Sequence, residues 1–261
     1  MLLTVLFAGL SGVATTLLFA FGPELAWWWH LPVFLGFYVA TGLVYVVTVV
    51  TVLLLTLKGD PSPRTRHITQ RLIEWTLSWV LLTIGYRIRV EGRERLPDRP
   101  FLLVCNHRSA FDPLCTAAAL TDVDMVFVAK PGIFRIPVIG TVLRKLCFLP
   151  IDRENPRNAV TTIKRAAELI QQVGLSVAIY PEGTRNKESE ALLPFHAGSF
   201  KIAKLADCPV VTATVRYEKR FLWEKRVLLR MVDVMDAAFV AENNTATLSD
   251  RAKEKIEEDL K

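Results

Sequence analysis

The chain has 261 residues, 51% of them hydrophobic, with a formal net charge of +6 and a pI near 9.2. That length admits one catalytic domain of ordinary size plus membrane anchors. No recognition motif or aromatic-basic repeat accompanies the positive charge, so it argues for a surface facing anionic lipid or phosphate and against nucleic acid.

The mean hydropathy of +0.31 is high for a soluble domain, and the excess is N-terminal. No Asp, Glu, Lys or Arg occurs from Met1 to Pro23, and none from Leu25 to Leu57. A helix crosses the hydrocarbon core in about 20 residues, so either run is long enough. Two transmembrane helices are predicted, near residues 2–22 and 33–57. The turn between them, Pro23 to Pro32, carries a proline at each end and the headgroup-loving Trp27, Trp28 and Trp29. Met1-Leu2-Leu3-Thr4 lacks the basic start of a cleaved signal peptide, so the first span reads as retained. Lys58, Arg64, Arg66 and Arg71 follow the second span, whereas the turn holds only Glu24. The positive-inside rule then places the turn outside and the rest of the chain in the cytoplasm, as an integral protein of the cytoplasmic (inner) membrane.

Gly59-Asp60-Pro61-Ser62-Pro63 is a turn-rich linker. Beyond it Ile68, Leu72, Trp75 and Trp79 recur at helical spacing, and from Leu77 to Ile84 the apolar character wraps around the helix; a core helix would show the same wrap, but the nearby arginines beside Trp favour an amphipathic helix lying in the membrane interface. From Tyr86 the pattern changes to short apolar runs. Strands are predicted at Tyr86–Val90, Phe101–Cys105, Met125–Ala129, Cys147–Ile151, Ser176–Tyr180, Val210–Val215 and Val227–Val234, with helices at Pro113–Leu120, Ala159–Gln172 and Gly198–Ala206. This is an α/β pattern, a sheet flanked by helices. Thr247 followed by Asp250 reads as the capping box of a charged terminal helix. The expected organisation is 1–58 as two membrane helices, 59–85 as linker and interface helix, and 86–261 as a cytoplasmic domain. Cys105, Cys115, Cys147 and Cys208 lie in apolar or small-residue surroundings with no C-x-x-C pair, which reads as free thiols in a reducing compartment.

Two polar blocks, each behind a predicted strand, carry the chemistry: Asn106-His107-Arg108-Ser109-Ala110-Phe111-Asp112 and Tyr180-Pro181-Glu182-Gly183-Thr184-Arg185. His107 offers a base near neutral pH and Asp112 a partner to orient it. Their separation is too far round a continuous helix for contact, so a turn must join them. Asp112-Pro113 supplies one, with Asp at the N-cap, Pro at the first helical position and His107 on the loop before it. His30, His67, His107 and His196 lack paired ligand spacing, so no metal site is expected, and glycine loops for nucleotide cofactors are also missing.

The first block resembles the His-x4-Asp motif of the lysophosphatidate and glycerol-phosphate acyltransferases, and the second resembles their Phe-Pro-Glu-Gly-Thr-Arg motif. Phe148-Leu149-Pro150-Ile151-Asp152-Arg153 is similar to a further family motif, with Cys147 where the family has Gly and Pro150 where it has Phe. The resemblance runs from about Tyr86 to Val215 and implies an acyltransferase domain with a mixed sheet. It implies His107 as general base, with Asp112 orienting it, and no cofactor beyond the acyl thioester donor, acyl-CoA or acyl-carrier-protein. Arg185 is the candidate for the acceptor phosphate, because its guanidinium holds two oxygens at once. Arg153 and Lys130, near strand ends, come next; Gly183 and Thr184 shape the binding turn, and Glu182 fixes Arg185 or the His107 loop by hydrogen bonding. The implied reaction moves a fatty acyl group from a thioester to 1-acyl-glycerol 3-phosphate, with lysophosphatidate, the bilayer and a carrier protein as partners. The alternatives are the same chemistry on glycerol 3-phosphate or another lysolipid, a thioesterase or lipid esterase, and a non-catalytic lipid-binding protein.

Overall fold

Two apolar helices open the chain, α1 (Leu2–Phe21) and α2 (His30–Thr56). The computed structural model describes residues 2–21, 27–56, 63–152, 155–186, 191–219 and 224–261. The two helices pack antiparallel: the Phe7 ring meets those of Tyr38 and Tyr45, and Phe19 stacks on His30. Their outward side chains, Leu10, Val13 and Leu17 on α1 and Val39, Leu43 and Val47 on α2, are exposed. Inside α1 the Ser11 and Thr15 hydroxyls donate to carbonyls four residues back, which satisfies them without water. Among the described residues one helical stretch, His30–Val52 with mean hydropathy 2.2, is long and apolar enough to cross a membrane; the apolar stretch of α1, Val5–Ala20, is shorter. Residues 22–26 and 57–62, with Glu24 and Lys58, lie outside the described residues.

α3 (Pro63–Thr83) splits the stripe expected of its first half and bears out the apolar wrap expected from Leu77 on. Trp79 is buried against Phe7 and donates from Nε1 to the Tyr38 hydroxyl at 3.0 Å, while Leu72 and Ile73 pack on Val49 of α2. Leu77 and Leu81 face the other way, into the α/β core, and Trp75 stays exposed. The helix is thus a two-sided spacer between the α1–α2 pair and the α/β unit. Glu74 is buried on it, and burial pushes its carboxyl up to about 7 against the pull of the Gln70 hydrogen bond and Arg71. The side chains of Arg64, Arg66 and Ile68 lie outside the described residues.

Among the described residues seven strands follow: β1 (Tyr86–Glu91), β2 (Leu102–Cys105), β3 (Met125–Ala129), β4 (Leu149–Pro150), β5 (Ser176–Ile179), β6 (Val210–Lys219) and β7 (Lys225–Met235). They form one mixed sheet in the order β1-β7-β6-β2-β5-β3-β4. β6, β2, β5, β3 and β4 run parallel; β7 is antiparallel to β6, and β1 runs with β7. The helices of this unit are α4 (Asp112–Ala119), α5 (Ile139–Lys145), α6 (Pro156–Glu168), α7 (Lys201–Ala206), α8 (Ala237–Glu242) and α9 (Thr245–Leu260). Alternation along the strands divides the core. Leu102, Val104, Val177, Ile179 and Val210 pack against residues of α6, α7 and α9 such as Ile163, Ala203 and Leu248. Leu103, Cys105, Ala178, Ala213 and Val215 face Cys115 of α4 and Leu81 of α3.

The α/β expectation holds, with local corrections. The strand expected at Cys147–Ile151 shrinks to Leu149–Pro150, because Cys147 sits at φ +61 in the turn before it. That left-handed conformation is the one a glycine adopts at no cost. A 3-10 turn at Pro131–Arg135 and α5 fill a stretch left without a predicted element. α9 is capped by Asn244, whose side-chain oxygen accepts from the Ala246 and Thr247 amides, so Thr247 lies inside the helix rather than at its cap.

Candidate active site

The loops leaving β2, β5, β3 and β4 emerge at the same edge, the carboxyl ends of parallel strands, where open α/β sheets bind ligands. Asn106, fully buried, ends β2 by pairing with Val215 of β6 as a strand residue would. Its amide nitrogen donates to the Val215 carbonyl at 3.1 Å and its oxygen accepts from the Val215 amide at 2.7 Å. His107 therefore leaves the sheet at a fixed place. Its backbone amide donates to Glu182 Oε1 at 2.7 Å and its carbonyl accepts from the Asn186 amide at 2.8 Å.

The imidazole stacks on Tyr180, with centroids 4.6 Å apart, and its Nδ1 lies 2.7 Å from Asp112 Oδ2. That same oxygen accepts from the Arg108 and Ser109 amides at 2.7 and 2.8 Å, while Oδ1 accepts from the Tyr217 hydroxyl at 2.5 Å. With donors converging on the carboxylate, Nδ1 carries the proton and the Nε2 lone pair is left for a substrate. Asp112 is fully buried, whereas the His107 side chain keeps 18% of its surface exposed, so the dyad opens to solvent only through the ring.

The turn expected to join His107 and Asp112 exists, with one correction. Asp112 is the first residue of α4 and Phe111 holds the N-cap position without a side-chain cap bond. The carboxylate points back into the loop because the Arg108 and Ser109 amides compete successfully for it. Tyr217 was not legible as part of the site, since it stands 105 residues from Asp112 in a strand with no motif around it. Burial first, then the Asp112 charge, push its phenol far above the ordinary tyrosine range, so it stays protonated and donates.

The second block divides between scaffold and surface. Glu182 is buried, and its other oxygen accepts from the Leu193 amide at 3.1 Å, so it ties the His107 loop to the segment after the block. Of its two expected tasks the structure shows fixing of the His107 loop. Gly183 turns the chain at φ +73, a conformation costly for other residues, and Thr184 and Arg185 emerge exposed. Arg185 directly precedes Asn186, whose amide holds the His107 carbonyl. Lys130 is exposed at the carboxyl end of β3, beside β5. Arg153 lies outside the described residues.

Cys105, Cys115 and Cys208 are buried and Cys147 is partly so, all as free thiols. Burial and then the Asp112 charge hold the thiol of Cys115 up near 12, so it is no nucleophile at neutral pH.

Residues 87–216 match the family model described as Acyltransferase, a stretch that includes both polar blocks and ends just short of Tyr217. The chain belongs to this acyltransferase family. It is 39% identical over 141 residues to the chloroplastic 1-acyl-sn-glycerol-3-phosphate acyltransferase BAT2 of Brassica napus, covering 52% of this chain and 40% of that one. It is 31% identical over 135 residues to the 1-acyl-sn-glycerol-3-phosphate acyltransferase of Bacillus subtilis, covering 51% and 65%. The chain thus spans less than two-thirds of the length of these relatives. The fold matches the crystal structure of the 1-acyl-sn-glycerophosphate (LPA) acyltransferase, PlsC, from Thermotoga maritima, with a TM-score of 0.63 at 22% identity over 85% of this chain and 94% of that one.

Proposed function

We propose that this acyltransferase moves a fatty acyl group from an acyl thioester to the free hydroxyl of 1-acyl-glycerol 3-phosphate, giving phosphatidate. The observation that carries the reading is the His107–Asp112 pair, closed at 2.7 Å and open to solvent through the imidazole. Nε2 of His107 takes the proton of the acceptor hydroxyl as its oxygen attacks the thioester carbonyl. Asp112 stabilises the imidazolium that forms. The C–S bond then breaks, and the proton passes from the imidazolium to the departing thiolate. A thioester carbonyl is reactive enough for direct attack, so no acyl-enzyme is needed.

Arg185 holds the acceptor phosphate in this reading, with Lys130 at the carboxyl end of β3 as a further cation and Arg153 as a candidate from its place in the sequence motif. The relatives' names support lysophosphatidate as the acceptor. The α1–α2 pair serves as membrane anchor: its outward faces are apolar and exposed, as lipid-facing helices require, and α2 has the length to cross. We assign both helices as spans, with the tryptophan turn outside and the catalytic unit on the cytoplasmic side of the inner membrane.

The test is to supply purified protein in lipid with acyl-CoA or acyl-carrier-protein and a panel of acceptors, measuring thiol release and lipid product together. Phosphatidate formation that requires lysophosphatidate supports the reading. Thiol release without any acceptor would replace it with a thioesterase, and preference for glycerol 3-phosphate or a neutral lysolipid would reassign the acceptor.

A further inference from the structure

The chain between β3 and β4 leaves the carboxyl end of the sheet and folds into a small knuckle of the 3-10 turn followed by α5. Four of its large apolar side chains point outward: Ile133, Ile136, Val138 and Ile139 are each 39–47% exposed. Clustered apolar exposure of this kind marks an interaction surface rather than ordinary scatter. The knuckle is rigidly built. Phe134 is its buried anchor, Arg144 Nη1 donates to the Phe134 carbonyl at 2.9 Å, and Gly140 packs so closely that a Cβ there would lie 2.0 Å from the same oxygen. The Ile139 amide closes a three-residue turn onto the Pro137 carbonyl at 2.7 Å, which forces Val138 to φ +66. A β-branched residue in that conformation is strained, so the outward display is held by the packing around it.

We infer that this knuckle inserts into the surface of an anionic bilayer as a second membrane contact, beside the acceptor's route to His107. Two observations choose lipid as the occupant. α5 packs against α2, so its apolar surface continues that of the helix pair. Exposed Lys130, Arg135 and Arg144 flank the isoleucines, the arrangement that pairs an apolar wedge with anionic headgroups. The inference rests on α1–α2 being the membrane anchor.

The test uses the full chain in nanodiscs containing anionic lipid, with Cys147→Gly to remove the one native cysteine that is not buried. Single cysteines at Ile139 and, separately, at Ile133 carry an environment-sensitive fluorophore. Val47 on α2 is the lipid-facing control and Glu254 on α9 the water-facing one. Spin-labelled lipids are expected to quench the Ile139 and Ile133 probes at a depth of about 5–10 Å, well above the Glu254 signal. Quenching at Val47 with none at Ile133 or Ile139 overturns the inference and leaves the anchor intact. Absence of quenching at Val47 as well removes the anchor reading. Protection of Ile139 only when acyl-carrier-protein is added, or only at raised protein concentration, would assign the knuckle to a carrier or to a second copy and also overturn the inference. As a separate readout, Ile136→Asp with Ile139→Asp is expected to raise KM severalfold for a bilayer-borne acceptor while leaving a short-chain soluble acceptor unaffected.

Discussion

β6 has a buried or half-buried carboxylate on each of its faces, and the two are held in opposite ways. On one face Tyr217 reaches Asp112, which takes its remaining bonds from backbone amides and the His107 ring. On the other, Thr214 and Arg216 reach Asp259 of α9, which is also paired with Arg230 at 2.7 Å. Burial would raise the Asp259 carboxyl, but the Thr214 hydroxyl and the two guanidiniums outweigh it and hold the carboxyl below its usual range. Permanent cations spend the charge of Asp259 on structure. Asp112 is oriented by amides and a phenol, and in the proposed mechanism its charge stabilises the proton arriving on His107.

The largest effect that would break this contrast is at Asp112. Asp112→Asn keeps the shape but loses the charge, and kcat is expected to fall about a hundredfold to ten-thousandfold with the fold retained. If only Asp112→Ala were harmful, the side chain would be acting as loop scaffold, as Asp259 acts for α9. Arg185 comes next. Arg185→Ala is expected to cost roughly 2–5 kcal/mol in acceptor kcat/KM if the phosphate contact is desolvated. Arg185→Lys, which keeps the charge and loses the two-pronged geometry, should raise acceptor KM far more than donor KM. Equal losses with a neutral acceptor such as monoacylglycerol would withdraw the phosphate assignment.

Tyr217→Phe is expected to have a smaller effect. Removing the donor from Oδ1 is expected to lower kcat about tenfold. Because Tyr217 acts by orienting Asp112, the loss is expected in kcat, with both KM values and the thermal stability nearly unchanged. A purely structural role would instead lower the unfolding temperature and leave kcat of the folded protein in place. On the opposite face, Asp259→Asn is expected to cost about 1–2 kcal/mol of stability and no activity. Because the folded carboxyl titrates below its unfolded value, the parent's share of that stability is present above the unfolded pKa near 4. It is lost as pH falls through the folded value, which thermal unfolding at pH 7 and pH 3 would reveal.

What was legible in the chain follows from how local each signal is. Asn106 to Asp112 could be read because a strand end, a turn and a Pro-started helix fit within eight residues, and the dyad closes inside that stretch. The predicted core strands survive with small shifts because their side chains are buried on both faces. Tyr217 was hidden because its role depends on pairing of β6 with β2, a long-range register that no local pattern records. The α3 stripe misled for a related reason: Trp75 and Trp79 share helical spacing, but only Trp79 finds Phe7 and Tyr38. The knuckle after β3 escaped because its isoleucines follow neither strand nor helix period, being spread over a 3-10 turn, a strained turn and a short helix.

In the proposed mechanism everything turns on His107 carrying the proton of the acceptor hydroxyl. The direct measurement is phosphatidate formation by His107→Ala and parent protein in the same lipid with saturating thioester and lysophosphatidate, with thermal unfolding followed in parallel. Product formation by the variant is expected to fall at least about a hundredfold at nearly unchanged unfolding temperature, since a loop base is removed and the Asn106 and Glu182 anchors remain. Near-parental product formation by the stable variant would contradict it.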